Sequence, residues 1–443
     1  MSADNPIIDP FADEQTAPLA QRPRLELRLR QHLADPVASG GALLLGRRQS
    51  GKSSQLRQFQ QNLYDISLGV MLPLDAAICR DEATLLRYLA ECSANYIIGQ
   101  GYAAADTGLL PEPYLPHDDA DGDTSPEPIP MRVWLADHVL PVCFKHIRNQ
   151  RRLVWFLDDA HHLIDAIVAE QLPGDLPEFL RTLLGQQLAI IGTTDLRYEE
   201  QVNHLSPLVE SKGVYRLHTL THDAVAAFYR ALPQTLFTDE TITFIYQLTG
   251  GEPVLVDQLA RQLYVTKSGQ MQNLTEDDVK QVIPQIHVAT EAFFRDLWDQ
   301  LSQPERLVLT ALSNRQYVTP IDPVTTPKIA TWLAEIDLPL DDTSINAALR
   351  GLTYLDVVDR DVANVRVRAR LMQQWLLENA HIAPRRERGA LDANLPGQLW
   401  MWLIAGLIGL LLVVGIAASI TQQNGTETSA PVPTVTLVPN DSP

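Results

Sequence analysis

The sequence predicts an α/β protein. A parallel sheet with helices on both faces comes first, then a helical region, then a smaller unit of helices closed by a hairpin, and last one apolar helix. Three observations predict it. Between residues 22 and 220, short apolar runs alternate with amphipathic helical patterns, as in a sheet buried on both faces. A glycine-bearing string, Gly46-Arg47-Arg48-Gln49-Ser50-Gly51-Lys52-Ser53, separates the first apolar run from the helix that follows. Residues 399–420, LWMWLIAGLIGLLLVVGIAASI, carry no charge.

Taken in order, residues 1–21 read as a flexible arm, Arg24–Leu33 as a helix, Ala42–Gly46 as a buried strand and Ser53–Leu63 as a helix. Val70–Ala77 suits a second strand and Glu82–Ile98 a helix. Residues 103–131 hold seven acids, six prolines and no Lys or Arg, and so read as an acidic, proline-broken insertion. Val133–Asn149 then looks helical, and LVWFLDD and LAIIGTT are two more buried strands. Residues 221–285 read as helix after helix. Residues 290–380 carry further helical patterns and a hairpin in DVVDRDVANVRVRA.

Composition narrows the function. The chain has 443 residues, enough for about three folding units. Lys plus Arg number 35 against 54 Asp plus Glu, a formal charge of -19, which argues against general binding to a phosphate backbone. Cys79, Cys92 and Cys143 show no metal-ligand spacing and read as reduced thiols. At about 1.5 Å per residue, the apolar run 399–420 spans a bilayer. Arg385, Arg386 and Arg388 in the linker 381–398 place the large N-terminal part on the cytoplasmic side, with residues 421–443 as a disordered tail outside.

The string 46–53 fits GxxxxGK[ST], preceded by a strand and followed by a helix. Its glycines let the backbone wrap phosphate oxygens, and the amides at the helix start supply donors. Lys52 is expected on the β- and γ-phosphates of ATP and Ser53 on Mg²⁺. Gly46, Arg47, Arg48, Gln49, Ser50, Gly51 and Ser54 complete the expected nucleotide contacts. The strand Leu153–Asp159 ends in two acids, with Asp158 expected on the Mg²⁺ side and Asp159 on the attacking water. Thr193 or Thr194 is the candidate γ-phosphate sensor and Arg197 a weaker one. His161 and His162 read as helix-start residues.

In LLLGRRQSGKSS, LVWFLDDAHHL, LAIIGTTD and LTGGEPVLVDQLARQL the chain resembles the AAA+/STAND group of P-loop ATPases, in particular its archaeal-type and Orc/Cdc6-like branches. The resemblance implies that residues 221–285 are a helical lid, with Gly251 and Pro253 in a turn beside the adenine. It implies that residues 290–380 are a winged-helix domain, and that the chain assembles with a protein partner or a second copy. Where many STAND proteins carry Arg after the paired Thr, this sequence has Asp195.

The function expected is a membrane-anchored ATP-dependent switch with slow turnover, since Asp159 is shorter than the Glu common in fast ATPases. The alternatives are a DNA-binding ATPase working through Arg350, Arg360, Arg366, Arg368 and Arg370, and a nucleotide-binding scaffold that does not hydrolyse.

Overall fold

Leucines alternate between two faces along the first strand, and that alternation builds the first half of the molecule. In the computed structural model of the chain, which describes residues 21–34, 40–104, 107–111, 114–118, 124–147, 151–185, 187–232, 236–267, 273–318, 324–361 and 364–380, β1 (Gly41–Gly46) is buried along its whole length. Leu43 and Leu45 face one core, Ala42 and Leu44 the other.

β5 (Arg152–Asp158) and β6 (Leu188–Asp195) repeat the pattern, Leu153, Trp155 and Leu157 on the first face and Val154 and Phe156 on the second. With β2 (Ser67–Pro73) and β7 (Val209–Arg216) they form one parallel sheet in the order β2-β5-β6-β1-β7. α1 (Pro23–Ala34) and α2 (Lys52–Asn62) cover one face through Leu29, Leu33, Leu56 and Phe59. The other is covered by α3 (Glu82–Gly99), α5 (Leu140–His146), α6 (His161–Val168) and α7 (Leu176–Leu183). Asp81 caps α3 by accepting from the Thr84 amide at 2.7 Å.

Three details differ from the sequence expectation. The second strand runs Ser67–Pro73 rather than Val70–Ala77: past Pro73 the Asp75 carboxylate accepts from the Ile78 amide at 2.7 Å and turns the chain into a short 3-10 helix. The acidic insertion contains an antiparallel hairpin, β3 (Tyr114–Asp118) with β4 (Thr124–Pro128). Proline suits such a ribbon, where each strand has an edge that needs no amide donor. The helix read at Val133–Asn149 starts earlier and ends earlier, as α4 (Met131–Val133), a π-helical stretch Trp134–Val139, and α5.

After the sheet come α8 (His222–Ala231), α9 (Asp239–Thr249), α10 (Pro253–Lys267) and α11 (Glu276–Gln300), with β8 (Leu236–Phe237) pairing β9 (Asn273–Leu274). Three more helices, α12 (Gln303–Val318), α13 (Thr326–Glu335) and α14 (Asp342–Tyr354), precede a hairpin of β10 (Val358–Arg360) and β11 (Val365–Val367), and α15 (Arg370–Asn379) follows. A division between residues 285 and 290 falls inside the unbroken α11, and buried side chains from Leu220 to Leu376 form one continuous core.

The expected arm before Gln21, linker 381–398, apolar helix 399–420 and tail 421–443 lie outside the described residues. Among the described residues no helix is long and apolar enough to cross a membrane.

Candidate functional site: a phosphate loop facing a helical turn

The C-terminal ends of β1, β5 and β6 open on a cleft of about 680 Å³, the position where parallel α/β sheets hold ligands. The loop after β1 is shaped by two glycines. Gly51 has φ +84° at the start of α2, and a side chain on Gly46 would meet the Ser50 hydroxyl at 2.5 Å. Arg48, Gln49, Ser50, Gly51, Lys52, Ser53 and Ser54 line the cleft.

Lys52 Nζ donates to the carbonyls of Gly46 (3.1 Å) and Arg47 (2.9 Å). Burial lowers its pKa, opposed by the charges of Asp195, Asp159 and Asp158. The Ser50 hydroxyl is buried without a hydrogen-bond partner among the described residues, an orphan donor in a loop of phosphate-binding shape.

Opposite the loop, Asp158 is buried at the end of β5, and the Thr193 hydroxyl donates to its Oδ1 at 2.6 Å. The same hydroxyl accepts from the Asp159 amide at 3.0 Å. Asp159 lies on the cleft with φ +59°, a conformation uncommon outside glycine. Ser53 on the loop and the Asp158 carboxylate supply the oxygen donors that a hard cation such as Mg²⁺ takes.

The expected sensor threonines are placed differently. Thr193 and Thr194 are fully buried, and neither lines the cleft. Thr193 is committed to Asp158 and Asp159, while alternation along β6 turns the Thr194 hydroxyl to the opposite side. The polar groups that reach the cleft from this strand end are Asp195 and Arg197, paired at 3.1 Å. Asp195 is legible in retrospect as the first residue past the paired threonines at the strand end.

Arg47, expected among the nucleotide contacts, points away from the cleft and forms a buried ion pair with Glu252. Pro253 lines the cleft and packs toward the loop, 3.6 Å from where a Gly51 side chain would begin. Gly251 does not line it: its carbonyl accepts from the Leu220 amide at 2.7 Å, and its φ of +72° lets the turn lie against Leu220. Gly251 therefore positions Pro253 rather than touching a ligand.

Leu220, Phe228, Pro253, Val254 and Val256 give the far end of the cleft an apolar lining suited to a heterocyclic ring. Arg22, at the edge of what read as a flexible arm, also lines it and donates to the carbonyls of His218 and Ser50. Burial pushes the Arg22 pKa down to about 10, against the raising charges of Glu252 and Asp356. No sequence pattern marks this residue.

No family model matches the sequence, and no curated protein does either. Among solved structures the chain is similar to the Walker-type ATPase PABY2304 of Pyrococcus abyssi, with 14% identity, a TM-score of 0.48, and coverage of 84% of this chain and 99% of that one. It is also similar to Cdc6p from Pyrobaculum aerophilum (15% identity, TM-score 0.36, 82% and 96% covered). A third likeness is to the Orc1 protein of Aeropyrum pernix in complex with DNA (14% identity, TM-score 0.35, 84% and 95% covered).

Proposed function

We propose that the chain is an AAA+-type P-loop ATPase: it binds ATP with Mg²⁺ in the cleft between the sheet and the helical lid, hydrolyses it slowly, and works as a nucleotide-dependent switch held at a membrane by residues 399–420. The observation that carries the reading is the meeting of loop residues Arg48–Ser53 with Asp159 across one cleft, with the Asp158 carboxylate held at the adjoining strand end by Thr193 and an apolar far end of the right character for a base.

Each residue's task follows from its place. Loop amides and Lys52 bind the phosphates, Ser53 and Asp158 hold the cation, Thr193 fixes the Asp158 carboxylate, and Asp159 orients a water toward the γ-phosphorus. Mg²⁺, when bound, neutralises charge on the phosphate oxygens. Pro253 and Phe228 enclose the base, so occupancy of the cleft favours one lid position over another.

DNA binding through the winged-helix region is the weaker reading. Arg366 pairs with Asp359 at 3.1 Å, Arg368 with Asp359 at 2.6 Å and Asp356 at 3.6 Å, and Arg360 donates to Asn346 at 3.0 Å. These arginines are engaged within the hairpin and its neighbours rather than offered as a free basic face.

The test is ATP binding and phosphate release by the full chain in detergent micelles, beside Lys52→Ala and Asp159→Asn. The reading expects Lys52→Ala to lose binding and Asp159→Asn to bind ATP but turn it over at least tenfold more slowly. A parent chain that fails to bind ATP with Mg²⁺ refutes it. One that binds through Lys52 without turnover leaves a nucleotide-binding scaffold.

A further inference from the structure

The chain crosses from β7 to the helices that follow through Leu217–Thr221. Both ends of this connector are fixed. The Leu217 amide donates to the Leu45 carbonyl of β1 at 2.7 Å, and the Leu220 amide to the Gly251 carbonyl in the turn between α9 and α10 at 2.7 Å. Movement of those helices against the sheet is therefore taken up at His218 and Thr219.

Both residues are gripped from the far end of the chain. His218 Nδ1 lies 3.2 Å from Asp356 Oδ2, and Arg368 donates to the Thr219 hydroxyl. Asp356 and Arg368 flank the β10–β11 hairpin, pair with each other at 3.6 Å and are largely buried. Gly250, in the turn between α9 and α10, lies so close to Arg368 that a side chain there would meet its Cγ at 2.7 Å.

A further contact reaches the sheet body itself. At the end of α14 the Tyr354 hydroxyl donates to Glu199 in the 3-10 stretch Leu196–Leu205, and the Arg216 guanidinium of β7 lies over the Tyr354 ring at 3.7 Å. Burial and the bond to Glu199 push the Tyr354 pKa up to about 12, so the hydroxyl keeps its proton and donates. The 3-10 stretch packs on the sheet core, whereas buried side chains from Leu220 to Leu376 form one core of helices. Tyr354, Asp356 and Arg368 thus belong with the helices, and their contacts straddle the boundary across which the cleft opens.

We propose that Tyr354, Asp356 and Arg368 form a latch across the hinge of the nucleotide cleft, and that its opening sets the rate at which nucleotide leaves. The proposal rests on the reading of the cleft as an ATP site. A nucleotide enclosed by Pro253 and Phe228 escapes when the helices part from the sheet. Parting breaks the Tyr354–Glu199 bond and bends the chain at His218 and Thr219, away from Asp356 and Arg368. The Tyr354 bond is to a carboxylate, and Asp356 and Arg368 are shielded from solvent, so these contacts hold more firmly than neutral surface bonds.

The experiment loads the full chain, in detergent micelles, with methylanthraniloyl-ADP and Mg²⁺, chases it with excess unlabelled ADP, and follows release by stopped-flow fluorescence. Unfolding by denaturant is measured beside it. The variants are Tyr354→Phe, Glu199→Gln, these two combined, Asp356→Asn and Arg366→Gln. Tyr354→Phe and Asp356→Asn should each speed release about fivefold or more, with the Tyr354→Phe unfolding midpoint at the parent's. The combined variant should release no faster than the faster of its two single variants, because both remove one bond. Arg366 pairs with Asp359 inside the hairpin, so Arg366→Gln should release within about twofold of the parent.

The inference is overturned if either Tyr354→Phe or Asp356→Asn releases like the parent, if the Tyr354 and Glu199 effects multiply, or if Arg366→Gln speeds release as much. Faster release that comes only with a lowered Tyr354→Phe unfolding midpoint overturns it too. In all those outcomes the parent still takes up nucleotide and the ATP-site reading stands. A parent that takes up no labelled nucleotide removes both.

Discussion

Arg47 stands inside the loop between β1 and α2, yet its guanidinium turns from the cleft and closes a buried ion pair with Glu252 in the turn between α9 and α10. That loop and the turn between α9 and α10 are thus joined by contacts of opposite character, the apolar meeting of Pro253 with the loop at Gly51 and this pair behind it.

Removing one partner leaves the other charge buried. Glu252→Gln should lower the free energy of unfolding by about 3–5 kcal/mol, read by chemical denaturation. Replacing both residues with Met should recover most of that loss. Single and double variants of equal stability would show that the pair is not buried in solution.

Thr193→Val removes the hydroxyl that donates to Asp158 and accepts from the Asp159 amide. Losing an interaction that orients a ligating carboxylate typically costs about 10- to 100-fold in metal affinity. Mg²⁺ dependence of turnover should shift by that amount, while Thr193→Ser, which keeps the hydroxyl, should stay near the parent. An unmoved Mg²⁺ dependence in Thr193→Val would remove Asp158 from the cation site.

Burial raises the thiol of Cys79 to about 12 and that of Cys143 to about 11, where an ordinary thiol is at 9.0. Alkylation needs the thiolate, so both should resist iodoacetamide in the native protein at pH 8.5 and react once it is unfolded, as peptide mass spectrometry would show. Linkage fixes the sign. The unfolded chain loses these protons near pH 9 while the folded chain keeps them, so their contribution to stability is whole below pH 9 and is lost as pH rises through about 11 and 12. Unfolding midpoints should fall over that window, and less so in Cys79→Ala.

Removing residues 399–420 should release the chain from membranes. In fractionated cells the full chain should stay with the membrane pellet through an alkaline carbonate wash, and the shortened chain should appear in the supernatant. Equal behaviour of the two would refute the anchor.

The sheet's inner strands were legible because a strand buried on both faces has to be apolar throughout, as in Leu153–Leu157. β7 was not, since it stands at the sheet's edge and carries Glu210, Ser211, Lys212 and Gly213 along one stretch. Charge on an edge strand guards against stray pairing and erases the apolar signal. At the site, residue spacing located the loop and the paired acids. It could not show that Thr193 serves Asp158, that Arg47 serves Glu252, or that Arg22 reaches the cleft from the start of the chain, because each depends on contacts between segments far apart in sequence.

α11 carries a mechanical consequence. Its 25 residues make a rod of about 37 Å, packed along α10 and, through Phe294 and Trp298, against Trp375 of α15. A rod of that length is a lever arm: turning it by roughly ten degrees at one end would sweep the other through about 6 Å. On the switch reading proposed above, a small turn of α11 would thereby become travel large enough for another protein to read.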